Sequence, residues 1–428
     1  MEHRILKRYP LGNPRRLWFQ DNFILSTFSA RGENMRDTLE NCAEAGFNMV
    51  ELGWAGHEQA QEALRICEEL NLPLLYQDFS VFGGMQERNI ERHIAPSVAR
   101  KLADELRPWK CVVGYYVWDE PYVEDQLVET RYQMDLFQKE DPARLPFTVA
   151  IPSYNTKYTW ENGEFAAYLR RYVEIIDPPQ LSLDFYPIGL RWYSDEKQLD
   201  DSLMWCDIGL MRKLGREYNM PVWFYYQGVN LYKYKTFEFP MVRMMMYAAA
   251  MYGFKGLQQY TAVGSVINGD GSRGPFFEEQ KEIHGEFRRL GNTLMALENR
   301  YVFHSADLLT DYPYYDEFRD DLADSAVLAC EAGELPERVS VGEFEDAYGN
   351  RYLMVFNRDF AAAKTVELKF KENVRLYNVS RTTGRQELMD GEGTSFSFDL
   401  AAGDAVLVRV QSAAEEAYTI EYRLEKNL

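Results

Sequence analysis

Five carboxylates stand where the sequence could do chemistry: Glu51, Asp78, Asp119, Glu120 and Asp184. Each lies at or near the end of a short apolar run of β-type residues, and a helical pattern follows each run. Side chains alternate across a strand, so in the run 180–187 Ser182, Asp184 and Tyr186 share one face and Leu181, Leu183 and Phe185 the other. The same alternation sets Glu51 with Met49, opposite Val50 and Leu52. If the polar sets point to a common side, three or four carboxylates converge. Paired carboxyl groups whose environments push their pKa values apart can serve as general acid and as base or nucleophile.

The elements that must position them alternate regularly. Apolar runs at 23–28, 47–53, 72–78, 111–121, 145–152, 180–187, 221–228 and 255–263 are each followed by helical periodicity, with Asn34 as a helix N-cap and Gly46 as a stop. Eight such units predict a (β/α)8 TIM barrel over residues 1–304, whose active site lies at the C-terminal ends of the strands. No glycine-rich phosphate turn follows the first strand, as a doubly wound dinucleotide fold would require. Beyond His304 the runs at 351–357, 365–370, 374–380, 394–400 and 404–410 are separated only by turns such as Tyr348-Gly349-Asn350, Thr383-Gly384-Arg385 and Asp390-Gly391. They predict a C-terminal antiparallel β-sandwich over 305–428 that supports the barrel without contributing catalytic groups.

Composition narrows the partners. With 47 Lys and Arg against 67 Asp and Glu the net charge is −20, which repels phosphate backbones and anionic lipid, so neither nucleic acid nor membrane is expected. No apolar stretch is long enough to span a bilayer, and the basic N-terminal segment lacks the apolar core of a signal peptide, so a cytoplasmic location is expected. Cys42, Cys67, Cys111, Cys206 and Cys330 are odd in number and widely spaced, which predicts free, buried thiols and no metal site or other cofactor. Asn268-Gly269-Asp270-Gly271-Ser272 has the start of a calcium loop but Arg273 at the position that needs glycine, so it reads as a polar loop. The partners left are a carbohydrate substrate and further copies of the chain, as a homo-oligomer. The carbohydrate reading rests on the convergent acids and on the aromatic and amide groups beside them, which suit holding a sugar ring while a glycosidic bond is broken.

A resemblance sharpens this. The run Tyr115-Tyr116-Val117-Trp118-Asp119-Glu120-Pro121 resembles the strand-four signature of clan A barrel glycoside hydrolases, in which Asn-Glu-Pro places the acid/base Glu; here Asp119 replaces the Asn. The Asp-Glu-Pro form, with Asp184-Phe185-Tyr186-Pro187 two strands later, is similar to relatives of the family 42 β-galactosidases. The resemblance implies that Glu120 is the acid/base. It also exposes a departure, because retaining members carry their nucleophilic Glu at the end of strand seven, where this chain has Gln227. Asp184, and after it Glu51, is the expected second carboxylate, and its displaced position favours an inverting mechanism with a wide gap for water. Glu51, Trp54, Asp78, Trp118, Asp119, Tyr186, Trp223, Gln227 and Gln259 are the expected substrate-binding residues, with the tryptophans as sugar platforms. Two other functions compete: a metal-dependent sugar isomerase or epimerase, which would want His ligands that the strand ends lack, and a non-catalytic carbohydrate-binding barrel, which Gln227 would suit.

Overall fold

The computed structural model describes residues 18–422 apart from residues 29, 31, 54, 83–92, 155–164, 189–201, 232–236, 309–319 and 331–333. Strands β1 (Ile24–Thr27), β2 (Met49–Glu51), β3 (Leu74–Tyr76), β4 (Val112–Asp119), β5 (Leu145–Val149), β6 (Leu181–Phe185), β7 (Val222–Gln227) and β8 (Gly256–Tyr260) run parallel in the order β5-β4-β3-β2-β1-β8-β7-β6. Between β5 and β6 the ladder shrinks to a single bridge, Ala150 with Leu183, where the Ala150 N–H donates to Ser182 O at 2.9 Å. The result is a nearly closed, TIM-like barrel with one weak seam.

Helices α1 (Met35–Glu44), α2 (His57–Leu70), α3 (Phe79–Phe82), α4 (Pro96–Leu106), α5 (Glu124–Glu140), α6 (Phe165–Ile176), α7 (Ser202–Glu217), α8 (Phe239–Met251) and α9 (Phe277–Ala296) alternate with the strands. Their sequences carry the local signals. The Asn34 side chain accepts from the Asp37 N–H at 3.2 Å and caps α1. Gly46 ends that turn at φ 94°, where a Cβ would stand 2.8 Å from the Cβ of His284 on α9. Ala60, Ala63, Leu64 and Cys67 make the buried stripe of α2.

Strand alternation divides the apolar residues into two sets. Leu181, Leu183, Phe185, Phe224 and Tyr226 join the core between strands and helices, while Tyr116, Phe147, Val149, Tyr186, Trp223 and Tyr225 fill the lumen. On β4 the alternation breaks. Its register against β5 slips between Tyr116 and Trp118, so two residues oppose one. Tyr116 is in the lumen, Val117 is in the outer core, and Trp118 packs against that outer core as well. The extra residue turns Asp119 back towards the lumen, where it accepts from the Tyr116 hydroxyl at 2.9 Å.

The C-terminal region is an antiparallel sheet of β9 (Glu298–His304), β10 (Val339–Glu345), β11 (Arg351–Asn357), β12 (Lys364–Val379), β13 (Gln386–Leu388), β14 (Gly393–Leu400) and β15 (Ala405–Ser412). Its order is β13-β12-β15-β11-β10-β9, with β14 paired to β12, so all seven strands belong to one hydrogen-bonded sheet. The sheet takes in β9, which lies before residue 305. The apolar run 351–357 is buried on both faces: Tyr352, Met354 and Phe356 join the core shared with the barrel helices, while Leu353 and Val355 join a second core with Val341, Val366 and Leu368.

A charged network seals barrel to sheet. Asp404 accepts from Arg243 of α8 at 3.0 Å and from Arg381 at 2.6 Å, and Arg243 also donates to Glu286 of α9 at 2.7 Å. Asp404 is 5% exposed. Asp404→Ala leaves Arg243 and Arg381 to share Glu286 alone and should cost about 2 kcal/mol of stability. A lower urea midpoint, with turnover of the folded protein within a few-fold of the parent, is the expected outcome. All five cysteines are free and buried. Among the described residues no helix is long and apolar enough to cross a membrane.

Candidate active site

Below the C-terminal mouth, the lumen is held by Glu51. Its Oε1 accepts from Ser26 Oγ at 2.6 Å and from Gln258 Nε2 at 2.8 Å, and its Oε2 accepts from the Tyr225 hydroxyl. Ser182 Oγ in turn donates to Gln258 Oε1 at 2.7 Å. Glu51 has no exposed surface. Burial pushes its carboxyl up, against the three donors that favour the charged form. Four strands are thereby tied together through one carboxyl.

At the mouth three further acids meet. Asp119 is half-buried, and Glu120 and Asp184 are each less than a tenth exposed. Glu120 has φ 50°, in the left-handed region that side chains with a Cβ rarely adopt. Pro121 already disfavours the right-handed helical region for the residue before it. The Tyr186 and Glu120 side chains lie close enough to Asp184 to favour its charged form. Burial first, and then the charge of Asp119, push the Asp184 carboxyl up to about 7, against the bonds from Tyr186 and Glu120. Asp184 Oδ1 is buried without a hydrogen-bond partner among the described residues.

Aromatic rings and a fourth acid surround this group. Tyr260 stacks on Phe28 at 5.5 Å and lies 5.0 Å from the ring of Tyr186. Burial, with the charges of Asp119, Asp184 and Glu120, pushes its hydroxyl up to about 12. Asp207 of α7 is 1% exposed and accepts from the Ser153 N–H at 2.9 Å. Burial raises it to about 8; the Ser153 bonds oppose that rise and the Asp184 charge adds to it. Among the described residues no group of three or more His, Cys, Asp or Glu side chains is arranged to hold a metal ion.

No protein-family model matches the chain, and no curated protein is similar to it in sequence. Among solved structures, a β-L-arabinopyranosidase of the GH27 group from Geobacillus stearothermophilus is similar at 10% identity over 93% of this chain and 98% of that one, with a TM-score of 0.51. A Bacteroides fragilis protein provisionally assigned as an α-galactosidase/melibiase is similar at 10% identity over 92% of this chain and 80% of that one, with a TM-score of 0.50. The likeness is one of fold, and it runs through both the barrel and the C-terminal sheet.

The residues singled out from sequence separate into groups. Asp119, Glu120, Asp184 and Tyr186 come together at the mouth. Glu51 is committed to the lumen wall. Trp223 sits at the start of β7 with its Nε1 on Gln20 at 2.9 Å and its ring 5.8 Å from Phe147, in space that a Cβ at Gly256 would occupy. It is lumen core at the far end from the mouth and not a sugar platform. Trp118 is turned to the outer core by the bulge, so it too is not placed as a platform. Trp54 lies outside the described residues. The Gln227 amide is spent on backbone: it accepts from Ile188 N–H at 2.9 Å and donates to Ile188 O at 3.1 Å and Val229 O at 3.0 Å. Gln259 accepts from the outward-facing Tyr226 hydroxyl at 3.2 Å and is fully buried away from the lumen. Asp78 accepts from Ser80 N–H at 2.9 Å and pairs with His57 Nδ1 at 2.7 Å. It stands beside a cavity of about 450 Å³ between α2 and α4, on the flank of the barrel.

Two groups at the site escaped the sequence reading. Tyr260 shares strand parity with Gln258, which was the available signal. Asp207 is the lone acid in the apolar stretch from Leu203 to Met211, a cue that a charged group is buried there.

Proposed function

We propose that this chain is a glycoside hydrolase in which Glu120 is the proton donor and Asp184 its partner. The observation that carries the reading is the convergence of the Glu120 side chain, at the exit of β4, with buried Asp184 of β6 at the mouth of a parallel barrel, beside the rings of Tyr186 and Tyr260. The strand-four resemblance supports Glu120 as the acid, and the fact that the two solved structures named above are named as glycosidases supports the class of reaction. Substrate draws the Glu120 proton onto the glycosidic oxygen. Asp184 is the carboxylate that faces the anomeric carbon. Tyr186 stands beside that carboxylate, and its buried Oδ1 has no hydrogen-bond partner among the described residues. Asp119, fixed by Tyr116, offers a second negative charge beside the developing oxocarbenium ion.

The closeness of Glu120 to Asp184 favours a narrow gap over the wide one expected for inversion. The bulge on β4 and the left-handed backbone at Glu120 bring its side chain across to β6. Rotation of the Glu120 side chain opens a contact pair to the roughly 5 Å of a retaining enzyme more readily than to the 6.5–9.5 Å of an inverting one. We therefore expect the first-formed sugar to keep the configuration of the substrate, as followed by proton NMR before mutarotation. An inverted product would overturn the pairing of Glu120 with Asp184. The function itself is tested by release of aryl alcohol from a panel of aryl glycosides, with and without chelator. No release from any of them would leave a sugar-binding barrel, and release abolished by chelator would favour a metal-dependent enzyme.

In this reading residues 1–304 are the catalytic barrel and 305–428 an accessory domain, with β14 and the first half of β12 as the second layer of a sandwich. Free, buried thiols suit a reducing compartment such as the cytoplasm.

A further inference from the structure

The seam between β5 and β6 separates the strands that lead to the two proposed catalytic groups, and the chain leaving β5 is tied at each N–H of residues 150–153. Ala150 N–H donates to Ser182 O at 2.9 Å, Ile151 N–H to the Tyr168 hydroxyl at 3.1 Å, and Ser153 N–H to Asp207 Oδ2 at 2.9 Å; Pro152 has no N–H. The Tyr168 hydroxyl passes the connection on by donating to Pro121 O at 2.9 Å. Tyr168 comes from α6 and has no exposed surface.

We infer that Tyr168 is a positioning residue, whose hydroxyl clamps the exits of β4 and β5 together and so sets Glu120 against Asp184. The path is continuous: Glu120 is joined to Pro121, whose carbonyl is held by Tyr168, which also holds Ile151. The neighbouring Ala150 bonds Ser182, two residues before Asp184. Few alternative ties exist at this point, because the β5–β6 ladder is reduced to the Ala150–Leu183 bridge. The clamp also acts next to Glu120, whose backbone is left-handed. A phenylalanine would keep the ring in place but leave Pro121 O and Ile151 N–H unpaired where water is excluded, and the β4 exit would relax to find other partners. The kinetic consequence rests on the glycosidase reading; the geometric one does not.

Tyr168→Phe in the full chain is expected to lower kcat about 10- to 100-fold on glycosides that need protonation, because a misplacement of about 1 Å costs that much. KM should stay within a few-fold, and the basic limb of the pH profile should move. Tyr172→Phe, one turn along α6, removes a hydroxyl that bonds neither Pro121 nor Ile151, and should match the parent. A folded Tyr168→Phe protein with parental kcat and pH profile would overturn the inference. Carboxyl ¹³C NMR titration gives a readout without turnover. In the parent, Glu120 and Asp184 should titrate as a coupled pair in two steps. Loss of that coupling in Tyr168→Phe supports the clamp even if no glycoside is hydrolysed, and unchanged coupling sinks it whatever the enzyme does. Should Tyr168→Phe not fold, 3-fluorotyrosine at 168 keeps the hydroxyl but strengthens it as a donor, and the titration must then shift; if it does not, the clamp is not there.

Discussion

Glu120→Ala is expected to slow hydrolysis of alkyl glycosides by roughly 100-fold or more, the usual contribution of a positioned general acid. On a dinitrophenyl glycoside, whose leaving group departs without a proton, the loss should be far smaller. Glu120→Gln should behave in the same way, since an amide keeps the shape but is not an acid. It also separates loss of the proton from relaxation of the left-handed backbone, which a smaller side chain could allow. The measurement is the ratio of kcat/KM on the two substrate types for parent and variants. An equal loss on both would remove Glu120 from the role of acid and leave it a residue that binds the sugar or holds the strand exit.

Asp184→Asn should abolish turnover and at the same time make the protein more stable at neutral and alkaline pH. In the folded state the Asp184 carboxyl is pushed up to about 7, chiefly by burial, against an ordinary value of 3.8. The folded state therefore holds a proton that the unfolded state has lost between those values. The stability this proton confers is complete below pH about 4 and disappears as pH rises through about 7. Asparagine cannot ionise, so the variant escapes that loss and should gain on the order of a few kcal/mol relative to the parent above pH about 7. Asp207, raised to about 8 chiefly by burial, acts with the same sign in both proteins; the small part of its rise that comes from the Asp184 charge is lost in the variant, which adds to the expected gain. His284 opposes at the other end: buried and lowered from 6.5 to about 3, it costs stability as pH falls below 6.5, equally in both. Urea midpoints of parent and variant from pH 4 to 9 should converge at the acid end and diverge at the alkaline end. A variant less stable than the parent at pH 8 would mean that Asp184 is ionised and satisfied in the folded state. A burial mechanism for its raised pKa would then be untenable. Loss of function with gain of stability is the signature of a group kept for chemistry at a cost to the fold.

Much of the architecture was legible because it follows from local periodicity. Eight alternating runs specify eight strand–helix units, and alternation along 180–187 separates Ser182, Asp184 and Tyr186 from Leu181, Leu183 and Phe185, as the lumen and outer cores separate them. Those patterns arise within a single strand, from the pleat alone. Five runs of the C-terminal region were legible as strands, two of them being parts of the single strand β12, whereas β9, β10 and β13 were not read. How the strands join into one sheet depends on pairing across the chain. What tertiary structure alone decided is non-local in each case. The bulge on β4 exists only against β5, and it reverses the facing of Trp118 and Asp119. Glu51 became part of the wall because hydroxyl and amide donors from β1, β7 and β8 arrive at it, up to 207 positions away. Gln227 is spent on the backbone beyond β6, and Tyr168 and Asp207 reach the site from the helical layer, where strand parity has no bearing. A sequence lists which groups can ionise or donate. Their titration and reach depend on burial and on the partners that folding brings from distant positions, and that is why the acids were visible in the sequence while their division of labour was not.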